Sequence, residues 1–257
     1  MEVIIISIVA FVTAILTFFS GFGLGTILMP VFALFFPIEI AVALTGVVHF
    51  SNNVFKIALV GKQTDKGVFF RFGIPAILAS FVGAWLLLRM TNLPILFSYE
   101  LLGKTMEIEP VKLMIAIILL FFSIFEIAPA AQKIQFGKDK LIIGGILSGF
   151  FGGLSGIQGA VRSAFLIKSG LSKEAYIATG VVIASLVDFT RLSVYAAQFT
   201  GADMHENILL LVSASGAAIA GAIIGKKLLK KVTLRLIQLL VAAMLIILSV
   251  LLGIGFI

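Results

Sequence analysis

The sequence predicts an all-α polytopic membrane bundle made of two inverted copies of one unit, each a glycine-broken helix or helical hairpin followed by three transmembrane helices. Three observations predict it. Of 257 residues, 61% are hydrophobic and 12% charged, where a soluble domain carries about 25% charged residues. With a mean hydropathy of +1.21, apolar runs of spanning length recur along the whole chain. The chain also aligns with itself at an offset of 134 residues.

The apolar runs lie at 3–36, 39–60, 68–88, 111–129, 141–167, 174–198, 207–225 and 232–257. The first opens Met1-Glu2-Val3 with no basic stretch before it, so it reads as a retained segment and not as a cleaved signal peptide. As one helix its 34 residues would reach about 51 Å against a hydrocarbon core of about 30 Å. Ser20-Gly21-Phe22-Gly23-Leu24-Gly25 and Pro30 interrupt it, and Gly152-Gly153-Leu154-Ser155-Gly156-Ile157-Gln158-Gly159 interrupts 141–167. Each is predicted to break or reverse its helix. The other six have ordinary spanning length.

Basic residues in loops set orientation, with acids counting for little. Lys56, Lys62, Lys66 and Arg71 form one group; Lys133, Lys138 and Lys140 a second; Lys168 and Lys173 a third; Lys226, Lys227, Lys230, Lys231 and Arg235 a fourth. These 14 oppose Arg89, Lys104 and Lys112, while Arg162 and Arg191 fall inside apolar segments. The 14 are placed in the cytoplasm. Both ends of 141–167 then lie inside, and both ends of 3–36, with both chain termini, lie outside.

At the offset of 134, Ala41, Thr45, Gly46, Val47, Val48, Ser51 and Phe55 fall on Ala175, Thr179, Gly180, Val181, Val182, Ser185 and Phe189, seven identities in eighteen positions, and Gly25 falls on Gly159. Residues 1–129 read as the first membrane repeat, 130–140 as a cytoplasmic linker and 141–257 as the second repeat. A hairpin adds no net crossing, so the copies are expected to be inverted. Paired broken helices in inverted repeats place transporter sites near the membrane midplane.

Gly21-Phe22-Gly23-Leu24-Gly25-x4-Pro30, its second copy at Gly156 to Gly159, and the Ala-x3-Thr-Gly-x4-Ser helix after each resemble the sulfite exporter TauE/SafE family over nearly the whole chain. In the second copy Ala164 takes the place of Pro30, and Gln158-Gly159-Ala160-Val161-Arg162 is less rich in glycine. The resemblance implies transport of sulfite, organosulfonates or related sulfur anions across a prokaryotic inner membrane.

The residues point the same way independently. A desolvated anion can be held by backbone N–H groups at a helix N-terminus, which Gly23, Gly25 and Thr26 of the first break and Gly156 and Gly159 of the second would offer. Tight helix packing is the competing reading of such glycines; two breaks in matched positions favour a site. Arg162 lies one turn into the second half-helix beside Gln158, and its fork suits an oxyanion. An ion pair with Asp188 is its alternative role. Asp188 and Arg191, three apart, share a helix face and are expected to pair, with proton coupling through Asp188 as the other reading. His49, Asn52 and Asn53 near the centre of 39–60 bring further donors, and Ser51 and Ser185 mark the repeat-related helix centres. Lys56 and Glu126, nearer the loops, read as snorkelling side chains.

The remaining classes have little to stand on. There is no cysteine, and His49 and His205 are the only histidines. No metal ligand pair, nucleophile with a midplane base, or paired aspartate is evident, so neither an enzyme, a cofactor nor a metal is expected. A proton-coupled or cation transporter using Asp188 and His49 is the rival function. The expected partners are a small sulfur oxyanion or sulfonate and the lipid bilayer, with no nucleic acid; a homodimer is left open.

Overall fold

Backbone polar groups in hydrocarbon must be satisfied internally, and this chain does so with helices. The computed structural model describes residues 1–18, 23–101, 103–128, 136–167, 169–197, 207–228 and 234–256. Gly21, Phe22, Lys133, Lys168, His205, Lys230 and Lys231 lie outside the described residues, as do the side chains of Glu126 and Arg235.

Among the described residues are ten helices: α1 (Glu2–Thr17), α2 (Leu24–Ala33), α3 (Ile38–Val60), α4 (Lys66–Thr91), α5 (Pro110–Ile127), α6 (Leu141–Ser155), α7 (Gly159–Leu166), α8 (Lys173–Tyr195), α9 (Ile208–Leu228) and α10 (Leu234–Gly253). α3, α4, α8 and α9 are long and apolar enough to cross a membrane. The chain is an all-α, multi-pass membrane protein.

Both segments predicted to break do so at glycine. Gly23, at φ +117°, caps the start of α2, and Gly156, at φ +79°, stops α6 with its N–H on the Gly152 carbonyl. These are left-handed conformations that a Cβ disfavours. Side chains start two of the long helices: Asp65 accepts from the Val68 N–H at 2.7 Å ahead of α4, and Ser172 accepts from the Ala175 N–H at 3.2 Å ahead of α8. Within α4, a π-helical turn at Phe69–Gly73 precedes Pro75, which has no N–H to donate to a helical bond.

The packing is reciprocal. α4 lies along α6 as α1 lies along α9; α3 meets α8, α5 meets α10, and α8 touches α4 as α3 touches α9. Exchanging the first five helices for the last five leaves this set of pairings unchanged. Glycines permit the closest of them: Gly145, Gly149 and Gly153 of α6 sit on the Phe72, Ala76 and Ser80 carbonyls of α4, and Gly221 and Gly225 of α9 sit on the Phe11 and Ile15 carbonyls of α1. A Cβ at the three α6 positions would overlap backbone atoms. Such small-residue seams bring membrane helices together without a hydrophobic driving force. Outward, side chains such as Leu78, Phe81, Ile117, Phe121 and Val212 are exposed and form the lipid-facing surface.

The stretch between the apolar runs 68–88 and 111–129 contains a hairpin. β1 (Phe97–Leu101) pairs antiparallel with β2 (Lys104–Ile108), Tyr99 opposite Met106, and the Tyr99 hydroxyl donates to the Ile254 carbonyl at 2.7 Å. The hairpin thus caps the end of the bundle where α10 finishes. Elsewhere, the Asp65 N–H donates to Thr179 Oγ1 at 2.9 Å, the Phe136 N–H to the Ala164 carbonyl at 3.3 Å, and Lys138 Nζ lies beside Gly170, so these loop segments share their neighbourhood.

Candidate functional site

α3 carries His49, Asn52, Asn53 and Lys56 at i, i+3, i+4 and i+7, which is one helical face. All four are buried, and so are Asp188 and Arg191 on the facing α8 and Gln158 and Arg162 at the start of α7. Charge at this depth requires partners. The Asp188 carboxylate supplies most of them. Its Oδ2 lies 2.6 Å from His49 Nδ1 and accepts from Asn53 Nδ2 at 3.4 Å. Its Oδ1 accepts from Arg191 Nε at 3.0 Å and Gln158 Nε2 at 3.2 Å, with Arg191 Nη2 also 3.0 Å away. Gln158 in turn accepts from Arg162 Nη1 at 3.1 Å. Arg162 is therefore tied to Asp188 through the Gln158 amide.

The glycines make room for this network. The Arg191 guanidinium lies between Gly46 and Gly156, where a Cβ would stand 3.1 Å from its Nη2 and 3.0 Å from its Nη1 respectively. Gly180 lies beside Arg162 Nε in the same way. Thus the glycine of each Ala-x3-Thr-Gly stretch lies against one arginine, and Gly46 makes room for its own. The two breaks meet here: a Cβ on Gly25 would be 3.5 Å from His49 Cδ2 and 3.6 Å from the Gly156 carbonyl oxygen. Thr26 is buried in the first turn of α2, and Gly159 opens α7, where Ser148 Oγ donates to the Gln158 carbonyl at 3.0 Å. The Tyr195 hydroxyl donates to the Gly153 carbonyl and braces α8 against α6.

Beside the network is a small cavity lined by Thr17, Phe18, Leu24, His49, Asn53, Lys56, Arg162 and Val181. It brings together side chains from α1, α2, α3, α7 and α8. Ser51 and Ser185 stand apart from it, donating to the Val47 and Val181 carbonyls of their own helices at 2.8 and 2.9 Å.

Lys56 differs from its sequence reading. A snorkelling side chain was expected, yet Lys56 is 5% exposed, with Nζ 5.2 Å from the Phe18 ring centroid. With its amide oriented to satisfy both neighbours, Asn52 accepts from Lys56 Nζ at 3.3 Å and donates to the Ala218 carbonyl at 3.3 Å. The reason is helical phase: Lys56 is one to two turns from the loop but shares the inward face with His49. That i, i+7 relation was the signal available in the sequence.

Chemically, the cavity wall presents an ammonium, a guanidinium, an imidazole and an amide, while the single carboxylate sits behind them, engaged by His49 and Arg191. Such a wall is suited to a small oxyanion. Among the described residues, no group of three His, Asp or Glu side chains gathers to hold a metal ion.

Comparison with known proteins agrees with the fold. The model of the family described as "Sulfite exporter TauE/SafE" matches residues 6–252. Comparison with curated proteins gave no match, and comparison with solved structures gave none. The match takes in all ten helices apart from residues at the two ends, and the chain belongs to the sulfite exporter TauE/SafE family.

Proposed function

We propose that the protein exports small sulfur-containing anions, such as sulfite or organosulfonates, by alternating access around the cavity at Lys56 and Arg162. The observation that carries this reading is the placement of Lys56, Arg162, His49 and Asn53 on one cavity beside two meeting helix breaks. The first N–H groups of α2, at Leu24, Gly25 and Thr26, and of α7, at Gly159 and Ala160, have no acceptor within their helices. They add the positive ends of two helix dipoles, with Gly23 and Gly156 giving the backbone its turn. Gln158 orients Arg162 towards the anion.

The two copies, 1–129 and 141–257, act as inverted repeats that rock about this point, in a prokaryotic inner membrane with both termini outside. The reciprocal helix pairing and the distribution of basic residues support that arrangement. Direction follows from charge. A negative interior drives a monovalent anion outward by about 2.3 kcal/mol per 100 mV, so export needs no coupling ion.

The test is flux of sulfite and methanesulfonate in proteoliposomes with the potential clamped by potassium and valinomycin. Efflux of sulfite stimulated by an inside-negative potential is expected. Transport of neither anion, or of cations alone, overturns the reading.

A further inference from the structure

We propose that His49 is the binding site of a proton that enters the cavity together with the anion. The inference rests on the cavity being the anion site and adds a second ligand to it. Asp188 Oδ2 lies 2.6 Å from His49 Nδ1, and an ionised carboxylate only accepts, so a neutral ring carries its hydrogen on Nδ1. Nε2 is left with a lone pair. Asn53 Nδ2 lies 3.2 Å from Nδ1 and 3.4 Å from Nε2, so the amide straddles the ring. With Nδ1 turned to Asp188 and the Cδ2 edge to Gly25, Nε2 is the nitrogen offered to the cavity that His49 lines.

An oxyanion facing that lone pair is repelled. Facing a protonated Nε2, it gains a charge-assisted donor. The groups around the ring decide when the proton arrives. Asp188 on α8 favours an imidazolium; Arg191 beside it, Lys56 on α3 and Arg162 on α7 oppose a further positive charge while the cavity is empty. Among the described residues, Thr17 and Phe18 at the end of α1 and Leu24 of α2 line the cavity, Gly25 lies against the ring edge, and none of these titrates. An anion lodged between Lys56 and Arg162 offsets the opposing charges, so each ligand favours the other reciprocally. A dianion then crosses with one net negative charge and still follows the potential outward, whereas a monoanion crosses without net charge and follows the pH gradient.

The experiment is isothermal titration of the purified full-length protein with methanesulfonate, whose own acid group stays ionised throughout. Weakly alkaline buffers of different ionisation enthalpy report the protons exchanged. The expected result is uptake of about one proton per anion, with affinity falling by as much as about tenfold per pH unit. His49→Gln, which keeps a donor towards Asp188, is expected to bind with no proton uptake and no pH dependence. Anion binding without proton uptake in the unmodified protein overturns the inference and leaves the export reading intact. Uptake that persists in His49→Gln places the proton elsewhere and also overturns it. Failure to bind either methanesulfonate or sulfite removes the anion site and, with it, both readings.

Discussion

Arg162→Lys separates recognition of an anion from mere charge balance, because it keeps the charge and removes the planar fork. Arg162 is 4% exposed at the start of α7, with Nη1 on Gln158 Oε1 at 3.1 Å, and it lines the cavity. A lysine can reach Gln158 or the anion, but one ammonium cannot reproduce both directions of a guanidinium. The change therefore removes at least one hydrogen bond to a charged group, worth about 1.5–3 kcal/mol, which is about tenfold to a hundredfold in affinity. Methanesulfonate affinity by titration calorimetry, and sulfite flux in proteoliposomes, should both fall by that factor. The cation next to Gly180 and Gln158 is retained, so thermal unfolding should move by only a few degrees. Affinity within twofold of the unmodified protein would refute the argument. So would undiminished transport by a folded variant with Arg162 and Asp188 both made neutral, which would reduce the arginine to a structural ion.

Lys56→Met should weaken anion affinity by about tenfold or more, measured in the same titration; a lysine reaching out to water would give no change. Gly149→Val should abolish recovery of folded protein by size-exclusion chromatography, because its Cβ meets the Ala76 backbone and overpacking costs about 1–3 kcal/mol or more, while Gly216→Ala, which meets nothing within 4 Å, should be tolerated. Single cysteines at Thr64 and Asn207 should label from opposite sides of the membrane with an impermeant maleimide, and labelling from one side would sink the inverted arrangement.

What was legible in the sequence follows from how local each signal is. The breaks at Gly23 and Gly156 could be read because an apolar run too long for the bilayer, interrupted by glycines, has few other solutions. The four long spans could be read from length and hydropathy. The 97–108 hairpin was hidden: Phe97-Ser98-Tyr99-Glu100-Leu101 is short, and its anchor is the Ile254 carbonyl at the far end of the chain. Lys56 was misread because distance along the chain to a loop was weighed above helical phase. The role of Gly46 was out of reach for a third reason. The motif marks a small residue, but the guanidinium that needs the space belongs to Arg191 on another helix, and only the crossing of α3 and α8 brings them together.

That crossing also bears on the number of anions per cycle. The two copies share a scaffold of broken helix, glycine slot and reciprocal packing, yet their side chains differ. α2, Leu24-Gly25-Thr26-Ile27-Leu28-Met29-Pro30, offers an anion backbone and the Thr26 hydroxyl but no charged side chain, whereas α7 adds Gln158 and Arg162 to its backbone. The facing α3 carries an imidazole, two amides and an ammonium, while α8 carries the Asp188–Arg191 pair that braces them from behind. On the other side of α8, Ile183 and Val187 pack with Phe72, Phe165 and Leu141 in a separate apolar cluster that leaves no comparable polar wall. On the proposed reading, a symmetric scaffold with an asymmetric lining would supply two matched halves to move and one place to bind. On the proposed alternating-access reading, the expected stoichiometry is one anion per exchange of the halves, with Asp188 a fixed counter-charge and not a carrier.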